Sequence, residues 1–190
     1  MKDRSEFHHL ADQVQQQIAE VIAKVDAGEI KSLIAALVSA RSVFVTGKGR
    51  TGLQMEGFAM RLMHVGLKVH VVGEVTAPGI QPGDLLLVGS ASGTTGALVS
   101  FVERARSLGV RVAAITANRE GPVARAADTH VFLDAPSHRV PGSELIRTVL
   151  PMGGLFEAAL GVLLNVLVVQ LMNELGVTEA EMIQRHANLE

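Results

Sequence analysis

The chain has 190 residues, of which 48% are hydrophobic and 19% are charged, and its formal net charge is −2. This length predicts one domain with a sizeable core. The slightly negative charge and the scarcity of aromatic residues argue against a nucleic-acid partner. The absence of cysteine excludes disulfides, thiolate chemistry and cysteine-based zinc sites.

Two segments of the sequence bear on where the protein resides: the first 17 residues and the most apolar stretch. The first 17 residues are charged and rich in glutamine, so they do not have the pattern of a signal peptide. The most apolar stretch, residues 160–172, contains Asn165 and Gln170, and we expect it to be too short to span a bilayer. The sequence therefore predicts a soluble, cytoplasmic protein without a membrane partner.

Apolar residues at helical spacing predict two helices at the start of the chain, over residues 5–25 and 30–40. His8 and His9 lie near the beginning of the first. Adjacent helical residues point in different directions, so this pair indicates a solvated helix end rather than a metal site.

From residue 42 onward, short apolar runs alternate with helical segments. The predicted strands cover residues 42–46, 69–72, 85–88, 110–116 and 129–133. The predicted helices between them end near residues 64, 108 and 127. This alternation predicts an α/β protein, a three-layer α-β-α sandwich around a five-stranded parallel sheet with right-handed crossovers.

A glycine- and hydroxyl-rich loop, residues 89–96 (GSASGTTG), follows the third predicted strand and precedes a helix. Unpaired N–H groups and the dipole at a helix N-terminus attract anions, and glycines let the backbone approach closely. The alternative is a simple helix cap in a flexible loop, which requires one hydroxyl. This loop has four of them, so we favour a phosphate site.

A second glycine-rich loop, residues 47–52 (GKGRTG), follows the first predicted strand and fits G-x-G-x-x-G. With Glu74 after the next strand, it also fits an NAD-binding Rossmann domain. The spacing to Glu74 is long for that interpretation, and 190 residues leave little room for a substrate domain. Lys48 and Arg50 suit a small, discrete anion well.

In open α/β sheets, ligands bind beyond the carboxyl ends of the strands, so both loops are expected to hold one phosphorylated small molecule. The candidate phosphate-binding residues are Gly49, Arg50, Thr51, Ser90, Ala91, Ser92, Gly93, Thr94 and Thr95.

The last third of the chain begins with residues 134–150, which show no clear period. A loop of this length is often functional, and His138 with Arg139 is a candidate cover for the ligand. Residues 155–175 predict a long helix that is apolar nearly all round, which favours burial at a subunit interface. Thr178 and Glu181 fit a capping box that begins a final helix.

Several segments together resemble the 6-phospho-3-hexuloisomerase family, which has the sugar-isomerase (SIS) fold of the flavodoxin/Rossmann type. The resemblance extends over nearly the whole chain from about Val43 and rests on the two loops and on residues 58–64 (FAMRLMH), 72–74 (VGE), 151–153 (PMG), 156–157 (FE) and 185–190 (RHANLE). The sequence departs from the family pattern at Thr51, Ala91 and Thr94. The resemblance implies one SIS domain over residues 1–190, with helical segments 5–40 and 154–187 packed on the sheet or at a subunit interface.

The resemblance also implies a reaction, the interconversion of D-arabino-3-hexulose 6-phosphate and fructose 6-phosphate through a cis-enediol. It implies no metal and no redox cofactor, and a role in the ribulose monophosphate pathway beside hexulose-phosphate synthase. It further suggests a homo-oligomer, either a dimer or a tetramer. A sugar-phosphate sensor on the same fold without catalysis is the main alternative, and an NAD-binding domain is the weaker one.

Two residues are candidates for catalysis. Glu157 matches the family's catalytic glutamate. From the residues alone, it lies at the start of an apolar helix, where the helix dipole stabilises a carboxylate whether or not it takes part in catalysis. His186 lies in the terminal motif and is preferred over His64, which is close to a predicted helix end. A neighbouring subunit could supply His186 to a shared site.

Overall fold

The computed structural model describes residues 4–137, 140, 142 and 148–189. Its strands are β1 (Val43–Thr46), β2 (Val69–Val71), β3 (Leu85–Gly89), β4 (Arg111–Thr116) and β5 (Thr129–Phe132). Its helices are α1 (Arg4–Ala23), α2 (Ala27–Ser39), α3 (Gly49–His64), α4 (Gly96–Ser107), α5 (Pro122–Ala126), α6 (Gly154–Leu175) and α7 (Glu179–Gln184). Within the described residues, the five strands form one parallel sheet in the order β2-β1-β3-β4-β5, which confirms the predicted sheet.

Alternate residues of each strand point to opposite faces of the sheet, so each face has its own core. Val43 and Val45 of β1 pack with α2, α3 and α6 on one face. Phe44, between them, packs with α4 and α5 on the other. Helices therefore cover both faces, and the predicted α-β-α sandwich is confirmed.

The strand order places a crevice between β1 and β3. From β1 the chain moves outward to β2, and from β3 it continues in the opposite direction to β4 and β5. Thr46, the last residue of β1, pairs in register with Val88, one residue before the end of β3. The loops that follow β1 and β3 therefore start side by side, where ligands bind in sheets of this order.

Helix α6 is the longest helix in the described part of the chain, with 22 residues. Helical rise makes it about 33 Å long, so the expectation that this segment is too short to span a bilayer was wrong. Half of its most apolar window is nevertheless buried within the fold, as in the core helix of a globular protein. Val162, Val166 and Val169 form an exposed row on its outer side.

Helix ends follow the sequence signals closely. Thr178 and Glu181 form the predicted reciprocal capping box at the start of α7. Gly66 takes a φ of 97° just after α3, as expected for a residue that ends a helix. The suggested ligand cover, His138 and Arg139, lies outside the described residues.

A buried carboxylate fastens the segment that leads into β3. Asp84 is 1% exposed and accepts hydrogen bonds from Arg41 Nε at 3.0 Å, Arg41 Nη2 at 2.9 Å and the Gln81 N–H at 2.9 Å. Burial alone would raise the pKa of Asp84, but these donors outweigh it and hold the pKa below its ordinary value.

We expect Asp84→Asn to lower the free energy of unfolding by about 2 kcal/mol at pH 7, because the charged acceptor of three donors is lost. The carboxylate stabilises fully above the unfolded aspartate pKa of about 3.9, and this stabilisation is lost as the pH falls through the lower folded pKa. Urea unfolding at pH 7 and at pH 3 measures both effects. Equal stability of the two proteins at pH 7 would contradict the assignment.

Candidate active site

A cavity of about 330 Å³ lies at the carboxyl ends of β1 and β3. Both glycine-rich loops and the start of α6 contribute to it. Its described lining residues are Lys48, Gly49, Arg50, Thr51, Gly89, Ser90, Ala91, Ser92, Thr95, Leu98, Ser137, Met152, Gly153 and Glu157. The structure therefore brings eight of the eleven candidate site residues to one place.

Three helices begin at this cavity. The N-cap residues of α3, α4 and α6 are Lys48, Thr95 and Gly153, and all three line it. In the described structure none of these caps uses its side chain to satisfy the first-turn N–H groups, whereas Asp26 and Thr178 do so for α2 and α7. Some first-turn N–H groups have backbone partners, such as Gly154 with the Pro151 carbonyl and Leu98 with the Thr95 carbonyl. Three positive dipole ends nevertheless favour an anion in this cavity.

The hydroxyls of Ser90 and Ser92 are buried in the second loop. Ser90 Oγ accepts a hydrogen bond from the Gly93 N–H at 3.1 Å, and Ser92 Oγ accepts one from the Thr94 N–H at 3.3 Å. A hydroxyl that accepts still has its own proton to donate. Both serines can therefore donate to a phosphate oxygen in the cavity.

Two candidate residues of the same loop lie apart from the cavity as the described residues form it. Gly93 has a φ of 62° and packs toward Gly121, and Thr94 is exposed. Their N–H groups are used inside the loop by the two serine hydroxyls. Hydroxyl and glycine content alone could not predict which way each residue of the loop faces.

The first loop brings a cation and an acid together. Arg50 Nε lies 2.9 Å from Glu157 Oε2, and the arginine side chain is 77% exposed while the glutamate is only 16% exposed. This bond uses one of the five arginine N–H donors and leaves the four on the terminal nitrogens for a ligand. Arg50 can therefore contact the carboxylate and a bound anion at the same time.

Six lining residues were absent from the candidate set: Lys48, Gly89, Leu98, Ser137, Met152 and Gly153. Met152 has a φ of 56°, a left-handed conformation that is rare for residues other than glycine and is common at functional sites. The PMG motif at residues 151–153 was the available signal, because it directly precedes the helix of Glu157. The position of Lys48 inside the first glycine-rich loop was the sequence signal for that residue. In the structure its ammonium lies 5.7 Å from the Phe101 ring centre.

His186 lies at the opposite end of α3 from the cavity. Its ring stacks on that of His64, the last residue of the helix, with 5.2 Å between the ring centres. The helical rise separates this pair from the start of α3 by about 22 Å. Burial, with the nearby Arg61 and His186, lowers the pKa of His64 below its ordinary value. Within one chain, His186 is therefore outside the site of Glu157.

Glu74, which the dinucleotide interpretation requires beside the first loop, lines a different cavity. That cavity has a volume of about 250 Å³ and includes Phe44, Phe101 and Arg104. The Glu74 carboxylate that the dinucleotide interpretation assigns to the ribose is thus missing from the described lining of the 330 Å³ cavity. That interpretation loses its second element.

Comparison with known proteins agrees with this geometry. The SIS domain model matches residues 36–160. The chain is 42% identical to the 3-hexulose-6-phosphate isomerase of Mycobacterium gastri over 93% of this chain and 88% of the relative, and 37% identical to that of Bacillus subtilis over 88% and 90%. A Methanococcus jannaschii crystal structure from which the same function was inferred superposes with a TM-score of 0.83 at 32% identity, covering 95% of this chain and 98% of that one. The chain therefore belongs to the SIS domain family, among the 3-hexulose-6-phosphate isomerases.

Proposed function

We propose that the chain is an isomerase that interconverts D-arabino-3-hexulose 6-phosphate and fructose 6-phosphate. One observation carries the proposal: a carboxylate, Glu157, faces the same cavity as three uncapped helix N-termini. The N-termini suit the phosphate of the substrate, and the carboxylate suits the proton transfer. Relatives with this name are similar along most of the chain.

The reaction moves a proton between C2 and C3 of the sugar through a cis-enediol. In our proposal Glu157 removes the proton next to the carbonyl, exchanges it with water, and delivers a proton to the former carbonyl carbon, while the hydroxyl proton passes from the oxygen of the one carbon to that of the other. A positioned base supplies about 10²–10⁴-fold, which is less than the ~10⁶-fold or more of a typical enzyme. The terminal nitrogens of Arg50 and the ammonium of Lys48 are suited to stabilise the enediolate oxygen.

The phosphate site acts as a handle. Ser90, Ser92 and Thr95 bind the phosphate together with the N-termini of α3 and α4, and this binding fixes C2 and C3 against Glu157. A sensor without catalysis would require the phosphate site alone. The partly buried carboxylate beside that site favours the enzyme.

We propose a homo-oligomer, a dimer or a tetramer. The exposed valines of α6 and the exposed Leu53, Met60 and Met63 of α3 lie on two helices that pack against each other, so they provide an apolar surface for a second copy. In such an oligomer His186 of one subunit would complete the cavity of another.

Mixing two inactive variants tests this shared site. Glu157→Gln and His186→Ala subunits, unfolded together and refolded, should recover activity because some sites then receive an intact residue from each parent. Each parent refolded alone is the control. A mixed oligomer as inactive as its parents would disprove the shared site.

We further propose that residues 1–190 form a single SIS domain in the cytoplasm, in a protein that operates without a metal or redox cofactor. Its chemistry places it in the ribulose monophosphate pathway of formaldehyde fixation, beside hexulose-phosphate synthase, which forms the 3-hexulose.

A coupled assay tests the proposed function. The protein is incubated with fructose 6-phosphate and hexulose-phosphate synthase, which cleaves the 3-hexulose to release formaldehyde. We expect formaldehyde at a rate proportional to the protein. No formaldehyde above the level with synthase alone would refute the proposal.

A further inference from the structure

The loop that follows β3 is hydrogen-bonded by residues 116–123, which run from the end of β4 into the start of α5. Three consecutive loop carbonyls receive hydrogen bonds from this segment. The Ala91 carbonyl accepts from the Ala117 N–H at 3.1 Å and from Thr116 Oγ1 at 3.2 Å, and the Gly93 carbonyl accepts from the Val123 N–H at 3.1 Å. Between them, the Ser92 carbonyl accepts from Asn118 Nδ2 at 2.8 Å.

Asn118 donates to the Ser92 carbonyl through its side-chain amide, and it is the one donor to that carbonyl in the described part of the chain. Its amide is buried, with the residue 8% exposed, and its Oδ1 accepts the Glu120 N–H at 3.1 Å. Asn118 is absent from the described lining of the 330 Å³ cavity and lines a second cavity of about 550 Å³; its side chain reaches the loop at the Ser92 carbonyl.

The direction of these carbonyls decides what the loop offers to an anion. A carbonyl oxygen carries partial negative charge and repels a phosphate, whereas N–H and O–H groups attract it. The donors to the Ala91, Ser92 and Gly93 oxygens are all absent from the described lining of the cavity, so these bonds draw the oxygens away from it. Ser90 and Ser92 remain in the lining. We propose that Asn118 is a positioning residue that holds the phosphate-binding loop in its anion-accepting conformation.

Gly121 supports the same contact. A Cβ at this position would lie 3.0 Å from the Ser92 oxygen and 3.1 Å from Asn118 Nδ2, which is tight enough that these atoms would have to shift by a few tenths of an ångström. Its φ of −68° is open to any residue, so space rather than backbone conformation favours glycine here. Gly121→Ala is therefore a second way to disturb the Asn118–Ser92 hydrogen bond.

This inference rests on the proposed function, because it assigns the loop to the phosphate of the sugar. The test variant is Asn118→Asp, which retains the size of the side chain and the acceptor for the Glu120 N–H but places an oxygen against the Ser92 carbonyl. Gly121→Ala is the independent second variant. Glu120→Gln is the matched control, since its side chain is exposed and pairs with Arg125.

We expect Asn118→Asp and Gly121→Ala to weaken fructose 6-phosphate binding about 10-fold, as the loss of one buried hydrogen bond implies. KM should rise by the same factor while kcat stays within about twofold, since the reacting atoms are untouched. The inhibition constant of inorganic phosphate should rise in parallel. Glu120→Gln should match the wild type. Calorimetric titration measures binding without requiring turnover.

The outcomes separate the two proposals. If the wild type binds fructose 6-phosphate without converting it, the proposed function is disproved. The binding constants of the variants still decide the role of Asn118. If folded Asn118→Asp and Gly121→Ala bind as the wild type does, the positioning role is disproved. A fall in kcat at constant KM would also overturn it, because the defect would then lie outside the phosphate handle.

Discussion

Replacing Glu157 by glutamine should lower kcat about 10²–10⁴-fold, the range that a positioned base supplies. Glutamine has the size of glutamate and can still accept the hydrogen bond of Arg50, but it cannot take up the substrate proton. Arg50 is largely exposed, so losing its charged partner leaves no buried cation. The fold and the phosphate site should therefore persist, with KM within about threefold of the wild type.

Steady-state kinetics on purified Glu157→Gln, beside a thermal unfolding curve, measures this effect. Glu174→Gln is the matched control, because it neutralises an exposed acid near the far end of the same helix. Its kcat should equal that of the wild type. Equal losses of kcat and stability in Glu157→Gln would instead show that the carboxylate serves the start of α6 and not the chemistry.

The double variant Ser90→Ala with Thr95→Ala should have the opposite effect and raise KM about 100-fold, because two hydrogen bonds to a charged phosphate are lost. The Thr95 substitution is the simpler of the two to interpret, since Thr95 lines the cavity and its hydroxyl does not cap α4. The Ser90 hydroxyl also accepts a hydrogen bond from the Gly93 N–H, so removing this hydroxyl loosens the loop as well. The value of kcat should stay within about threefold, because the base is unchanged.

Thr94→Ala provides the control from the same loop. Thr94 also has a hydroxyl, but it is exposed and lies apart from the described cavity lining. Its removal should leave KM and the inhibition constant of inorganic phosphate unchanged. An unchanged KM in the double variant, or an equal increase in Thr94→Ala, would contradict the assignment of the phosphate site.

The sheet and the position of its two loops were predictable because local signals determine them. Short β-branched and apolar runs predicted each strand, and glycine-rich turns marked where β1 and β3 end. Parallel strands have their carboxyl ends at one edge, so two loops far apart in sequence had to meet there. The capping box at Thr178 was equally local.

The features that the sequence did not reveal depend on contacts between distant segments. The Arg50–Glu157 ion pair joins residues on α3 and α6, and neither loop indicates it. Gly93 and Thr94 face away from the cavity because Val123 and Asn118 hold the adjoining carbonyls from behind. His186 packs on His64 at the far end of α3, a placement that the terminal motif does not encode.

Proton exchange at a single carbon tests the central claim, that this cavity moves a proton between C2 and C3. Fructose 6-phosphate in deuterium oxide is incubated with the protein and followed by proton NMR. We predict that the C3 proton signal disappears and 3-hexulose signals appear while the C1 protons remain, and that Glu157→Gln makes these changes about 10²–10⁴-fold more slowly. Exchange at C1, or a spectrum that the wild-type protein leaves unchanged, would contradict the account.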